Sequence, residues 1–93
     1  MIRSFADKLT ARIAERESPK GFPPDLVASA FRKLRYLDAA GRLEDLKVPA
    51  GNRLEALKGD RRGQHSIRIN DQWRICFVWK DGGAEDVEIV DYH

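Results

Sequence analysis

The sequence predicts an α+β domain in which two N-terminal helices pack against one face of an antiparallel meander. Three observations carry that expectation. From residue 53 onward, polar and apolar residues alternate at the period of a strand, and turn residues interrupt them at short intervals. Between residues 7 and 40 the apolar residues recur at helical spacing instead. The chain has 93 residues, enough for one sheet-and-helix layer pair that buries roughly 60% of its unfolded surface. Residues 1–93 are therefore expected to form a single domain.

Taken in order, Ile2-Arg3-Ser4-Phe5 predicts a short opening strand, and residues 7–16 a helix with Leu9 and Ile13 on one side. Residues 17–22 form a loop. Pro23-Pro24-Asp25 marks the start of a second helix, because proline suits a first helical turn and an acid there complements the helix dipole. That helix runs to about residue 40, with Val27, Ala30, Phe31, Leu34 and Leu37 inward and Arg32, Lys33 and Arg35 on its wet face. Gly41 stops it, and residues 42–52 are a polar connector. Strands follow over 53–58, 64–70, 72–80 and 84–90. Their turns are Gly59-Asp60-Arg61-Arg62-Gly63, a two-residue loop at Asn70-Asp71, and Lys80-Asp81-Gly82-Gly83. Trp73, Ile75, Phe77 and Trp79 share the core face with Val87 and Ile89 from the last strand, whereas Arg74 and Lys80 point the other way.

Composition excludes several classes. Charged residues make up 34% of the chain and hydrophobic ones 42%, which argues against disorder, a collagen-like repeat or a membrane span. No apolar run of secretory length follows Met1-Ile2-Arg3, and a single cysteine, Cys76, cannot staple the fold internally. Both features fit a reducing cytoplasm. Net charge is only +2 but unevenly spread. Residues 53–80 carry seven Lys/Arg against three acids, a net of +4, whereas residues 81–93 carry five acids and no Lys or Arg. A basic sheet face beside an acidic last strand suggests a local anion site rather than a uniformly basic coat.

The residues narrow the chemistry further. There is no phosphate-binding glycine loop and no H-E-x-x-H, and one cysteine with two distant histidines cannot build a structural zinc site. No metal or other cofactor is expected. Cys76, mid-strand among apolar neighbours, reads as core packing. Ser66 and His65 are adjacent on a strand and face opposite ways, so they cannot form a triad with Asp71. His65 shares a face with Ile67 and Ile69 and reads as a partly buried structural residue; Trp73 and Trp79 read as packing. What remains is a set of Lys and Arg with a terminal Asp91-Tyr92-His93. Metal-free RNA cleavage needs a base for the 2′-hydroxyl proton, an acid for the leaving oxygen, and cations for the charge building on phosphorus. Histidine titrates in the useful range, arginine forks onto phosphate, and a tyrosine ring can stack an unpaired base.

Leu57-Lys58-Gly59-Asp60-Arg61-Arg62-Gly63, Ser66-Ile67, Gln72-Trp73-Arg74-Ile75-Cys76-Phe77 and Asp91-Tyr92-His93 together resemble the HigB toxins of the RelE/ParE toxin superfamily. The resemblance spans the whole chain, including Met1-Ile2-Arg3-Ser4-Phe5. It implies a RelE-like, small microbial-RNase fold with a curved antiparallel sheet. It also implies a ribosome-dependent endonuclease that cuts messenger RNA during translation. A HigA-type antitoxin with a helix-turn-helix domain would neutralise it, in a heterotetramer that contacts operator DNA through the antitoxin.

Carried over residue by residue, the resemblance makes His93 a candidate acid or base and Tyr92 a base-stacking or orienting group beside Asp91. Arg74 would hold the scissile phosphate, with Lys58 on the rim. One departure stands out: the better-known pattern has a histidine three residues before the lysine, and here that position is Glu55. A carboxylate can accept a proton but repels phosphate, so a slower enzyme is expected. Arg61, Arg62, Arg68 and Lys80 would extend the RNA-binding surface by charge and position. Two other readings of the same chain are a ParE-like gyrase inhibitor that cuts nothing and a degenerate toxin that only co-represses with its antitoxin.

Overall fold

A computed structural model describes residues 1–92 of the chain. Its first helix, α1 (Lys8–Ala14), is capped by Asp7, whose Oδ1 accepts from the Thr10 backbone N–H at 2.9 Å. A single 3-10 turn, Pro24–Leu26, leads into α2 (Val27–Ala39), so the prolines sit where a helix needs no N–H donor. The sheet is antiparallel in the order β1 (Glu55–Ala56), β2 (His65–Arg68), β3 (Trp73–Lys80), β4 (Gly83–Asp91). Both helices lie on one face of this curved sheet. Ile13, Ala30, Leu34 and Leu37 pack there against Ile67, Ile75, Phe77, Val87 and Ile89. The Thr10 hydroxyl ties α1 to the sheet by accepting from the Ile89 N–H at 2.9 Å.

Two expected strands are shorter in the structure. The opening segment makes only isolated parallel bridges, Ile2 with Ala84 and Phe5 with Val87, and thereby covers the edge of β4. The strand expected over 53–58 is reduced to β1. Arg53 turns left-handed at φ 46 on one side of it, and a 3-10 turn, Gly59–Arg61, begins on the other.

Beyond the end of β2 the Ile69 N–H still donates to the Trp73 carbonyl at 2.9 Å, so the loop closed by that pair has three residues, 70–72, rather than the expected two. Ile67 stands opposite Ile75 and Arg68 opposite Arg74. Asn70 Oδ1 closes the loop by accepting from the backbone N–H groups of Gln72 and Trp73 at 2.9 and 2.7 Å. Register requires an odd length. The apolar residues of both strands occupy odd positions (Ile67, Ile69, Trp73, Ile75), and a two-residue loop would set odd against even, turning one strand inside out.

Between β3 and β4 the turn is Asp81-Gly82, both left-handed (φ 51 and 77), the geometry that matches strand twist. A bulge follows at Asp86, φ 52, where Val78 pairs with Glu85 but Cys76 pairs with Glu88. The extra residue keeps Ala84 on the core face and also brings Val87 and Ile89 there, as expected, while Glu85 and Glu88 face outward. Among the described residues, no helix is long and apolar enough to cross a membrane.

Candidate active site

The sheet face away from the helices is polar, and strand register places its residues in rows. One row runs Glu55, Ser66, Cys76, Glu88 across the four strands; the next runs Arg68, Arg74, Val90. Ser66 and Cys76, small and fully buried, form the floor. Cys76 is thus buried as expected, but on the side of Arg74 and outside the hydrophobic core cluster. Its strand neighbours Ile75 and Phe77 are core residues, and alternation sends the residue between them to the opposite face. Burial pushes the Cys76 thiol pKa up; Glu88 reinforces the shift, and Arg61 and Arg74 oppose it.

Arg74 is the centre of the face. It is only 7% exposed, and its guanidinium is held at two points. Nε donates to the Ser66 hydroxyl at 2.7 Å, and Nη2 donates to the Arg53 carbonyl at 2.6 Å and to the Ser66 carbonyl at 3.3 Å. Glu55 adds an ion pair to Nη2 at 3.5 Å from a side chain that is 53% exposed. No hydrogen bond among the described residues reaches Nη1, and the guanidinium carbon lies 6.0 Å from the centroid of the Tyr92 ring.

The Arg53 carbonyl is aimed by the connector before it. Asn52 is fully buried, donates to the carbonyls of Leu46 and Val48 at 3.2 and 3.3 Å, and accepts from Lys33 on α2. Lys33 is therefore more than part of a wet helix face. Burial, then the neighbouring Arg32 and Arg68, push its pKa down. With Asn52 pinned, the left-handed Arg53 turns its carbonyl onto Arg74.

The other candidate residues divide. Arg61 bridges to Glu88 at 3.2 Å and to Gln64 at 3.0 Å, and Arg68 pairs with Asp71 while facing Arg74 across the strands. Lys58 and Arg62 flank the Gly59–Arg61 turn with exposed side chains. Lys80 ends β3 six residues from Arg74, about 20 Å along the strand, so it does not join the cluster. Asp91 stands opposite Trp73 and accepts from Gln72 Nε2 at 3.1 Å, on the opposite side of the strand from Tyr92. His93 lies outside the described residues. His65 is partly buried, with its ring stacked 6.3 Å from Phe77; Trp73 packs edge-on to Phe22 at 4.9 Å and Trp79 to Phe77 at 6.5 Å, as expected of packing residues. Among the described residues, no cluster of three or more His, Cys, Asp or Glu is placed to hold a metal ion.

Sequence reasoning missed Ser66, Asn52 and Glu88 as parts of this site. The signal for Ser66 and Glu88 was their parity, which puts them on the face opposite Ile67, Ile75 and Ile89 and so on the side of Arg74. Asn52 left no such signal, because its partners Leu46, Val48 and Lys33 come from irregular chain and a helix.

Two helices on one face of a four-stranded meander are a fold shared with solved structures. A chain of the YoeB-YefM complex from Staphylococcus aureus superposes with a TM-score of 0.62 at 16% identity, covering 100% of this chain and 98% of that one. A YafQ mutant from E. coli superposes at 0.57 with 14% identity, covering 98% and 93%. The architecture is that of the RelE-like toxins. Sequence then narrows the class: the family described as RelE-like toxin of type II toxin-antitoxin system HigB matches residues 3–93, and the chain belongs to it. Toxin HigB-1 of Vibrio cholerae is 42% identical over 85 residues, 90% of each chain. Endoribonuclease HigB of Proteus vulgaris is 33% identical over 93 residues, the full length of both.

Proposed function

We propose that this toxin is a cytoplasmic, metal-independent endoribonuclease that cuts messenger RNA on the ribosome and is neutralised by a HigA-type helix-turn-helix antitoxin. The observation that carries the reading is the guanidinium of Arg74, nearly buried yet set on the open sheet face beside Tyr92. Its relative from Proteus vulgaris, named an endoribonuclease, supports the same reading. In this mechanism Arg74 binds the scissile phosphate and stabilises the charge that builds on its oxygens as the 2′-hydroxyl attacks. Attack closes a 2′,3′-cyclic phosphate and releases a 5′-hydroxyl. Glu55, beside Arg74, accepts the 2′-hydroxyl proton, and His93 protonates the leaving oxygen. Tyr92 stacks the neighbouring base, with Asp91 bracing the tail that carries both. Lys58, Arg61, Arg62, Arg68 and Lys80 contact RNA backbone, which makes binding salt-dependent. Residues 1–93 act as one domain, and the complex with antitoxin is a heterotetramer that reaches operator DNA through the antitoxin.

The test is to express the chain from a tight promoter and map new 5′ ends on translated messages, beside His93→Ala, Arg74→Ala and Glu55→Gln. Cuts inside open reading frames that vanish in all three variants and in untranslated RNA are expected. Wild-type cutting by Glu55→Gln removes Glu55 from the mechanism. Growth arrest with intact messages, persisting in His93→Ala, replaces the nuclease with a gyrase-type target.

A further inference from the structure

We propose that Ser66 is the positioning residue of the reaction: its hydroxyl fixes the guanidinium plane of Arg74 without neutralising its charge. The inference rests on the reading of Arg74 as the phosphate-binding group. An arginine side chain has a long flexible stem, so one contact fixes where the charge is but not where its N–H vectors point. Two contacts on different nitrogens do fix the plane. Here the Ser66 hydroxyl takes Nε at 2.7 Å and the Arg53 carbonyl takes Nη2 at 2.6 Å, so both anchors lie along the same Nε–Nη2 edge. That edge is the one that otherwise grips a carboxylate or phosphate bidentately, and the chain occupies it itself. Among the described residues no hydrogen bond reaches Nη1, which leaves it for a substrate oxygen.

The identity of the anchor matters. A carboxylate at position 66 would hold the guanidinium as well, yet would cancel the charge the transition state needs. A hydroxyl accepts the hydrogen bond and leaves the full positive charge in place. Ser66 is also fully buried in the middle of a strand, where serine is a poor choice for packing or strand propensity. Its place in the sheet is explained by the hydrogen bond it accepts. Glu55, by contrast, pairs with Nη2 at 3.5 Å from a half-exposed position, where solvent screens the pair and leaves much of the positive charge in place.

The experiment measures single-turnover cutting of a message on programmed ribosomes by wild type, Ser66→Ala, Ser66→Thr, Arg74→Ala and the double variant Ser66→Ala/Arg74→Ala. Misplacing a catalytic group by about 1 Å costs on the order of 100-fold. Ser66→Ala is therefore expected to lose roughly 10- to 100-fold in the cutting step, with ribosome affinity within about twofold because no cation is removed. Ser66→Thr, which keeps the hydroxyl, restores most of the rate, and in the Arg74→Ala background the serine change costs nothing further. In parallel, the Nε–H resonance of Arg74 exchanges slowly in wild type and in the threonine variant, and fast in Ser66→Ala. The proposal is overturned if wild type cuts and Ser66→Ala cuts within twofold of it. It is equally overturned if the serine change costs as much without Arg74, or if Nε–H exchange does not respond. Intact message with wild type is a different failure, that of the endonuclease reading itself.

Discussion

Asn52→Ala tests whether the connector before β1 holds the site together. Asn52 is fully buried and makes three hydrogen bonds: Nδ2 to the carbonyls of Leu46 and Val48, and Oδ1 from Lys33. Each is worth about 0.5–1.5 kcal/mol net, and the carbonyl partners left behind are poorly placed to recover water. Lys33 is only partly buried and can turn to solvent, so its share is the smallest. The sum is a loss of about 2–4 kcal/mol. For a chain of this length each kcal/mol moves the melting temperature by about 4–8 °C, so a fall of about 8–32 °C is expected by circular dichroism. Cutting at a temperature where the variant remains folded also declines, because the freed connector no longer aims the Arg53 carbonyl at Arg74. A melting temperature within about 3 °C of wild type would refute the reasoning, since it would mean that the three bonds hold nothing the fold depends on.

Cys76 carries a pH dependence. Its thiol pKa is raised in the fold from the ordinary 9.0, so at alkaline pH the unfolded chain loses this proton before the folded one does. Its stabilising contribution is intact below the ordinary value and is lost as pH rises through the folded value; urea melts at successive pH values should show that loss in wild type and not in Cys76→Ala. Arg53→Gly removes left-handed strain at φ 46 and keeps the carbonyl, so stability should rise by about 0.5–1 kcal/mol with cutting retained. Arg53→Val should lose both, as the same melts and cutting assays will read.

Much of this architecture was legible because period and burial agree. The odd positions of β3 are apolar and buried or partly buried, α2 carries its apolar stripe, and Arg74 was placed on the open face by alternation alone. What escaped was set by pairing across strands rather than along them. The expected two-residue loop at Asn70-Asp71 conflicted with the apolar parity of the strands it joins, and parity prevailed by recruiting Gln72 into the loop. Cys76 was judged by its neighbours in sequence, whereas in the sheet it lies between Ser66 and Glu88. Asn52 and Lys33 read as connector and wet helix face because nothing local shows that residues 19 apart meet. Asp91, grouped with Tyr92 by adjacency, is carried to the other side of its strand by the same alternation that brings Tyr92 to Arg74.

The most direct test of the account is single-turnover message cleavage by Arg74→Lys on programmed ribosomes. Lysine keeps the positive charge but cannot reproduce the fork that Ser66 and the Arg53 carbonyl hold in place. Ribosome binding is expected to persist while the cutting step falls by about 10²–10³, the usual loss for one preorganised transition-state donor. Cutting within about threefold of wild type would contradict it, because charge alone would then suffice and the orientation of Arg74 would have no part in the chemistry.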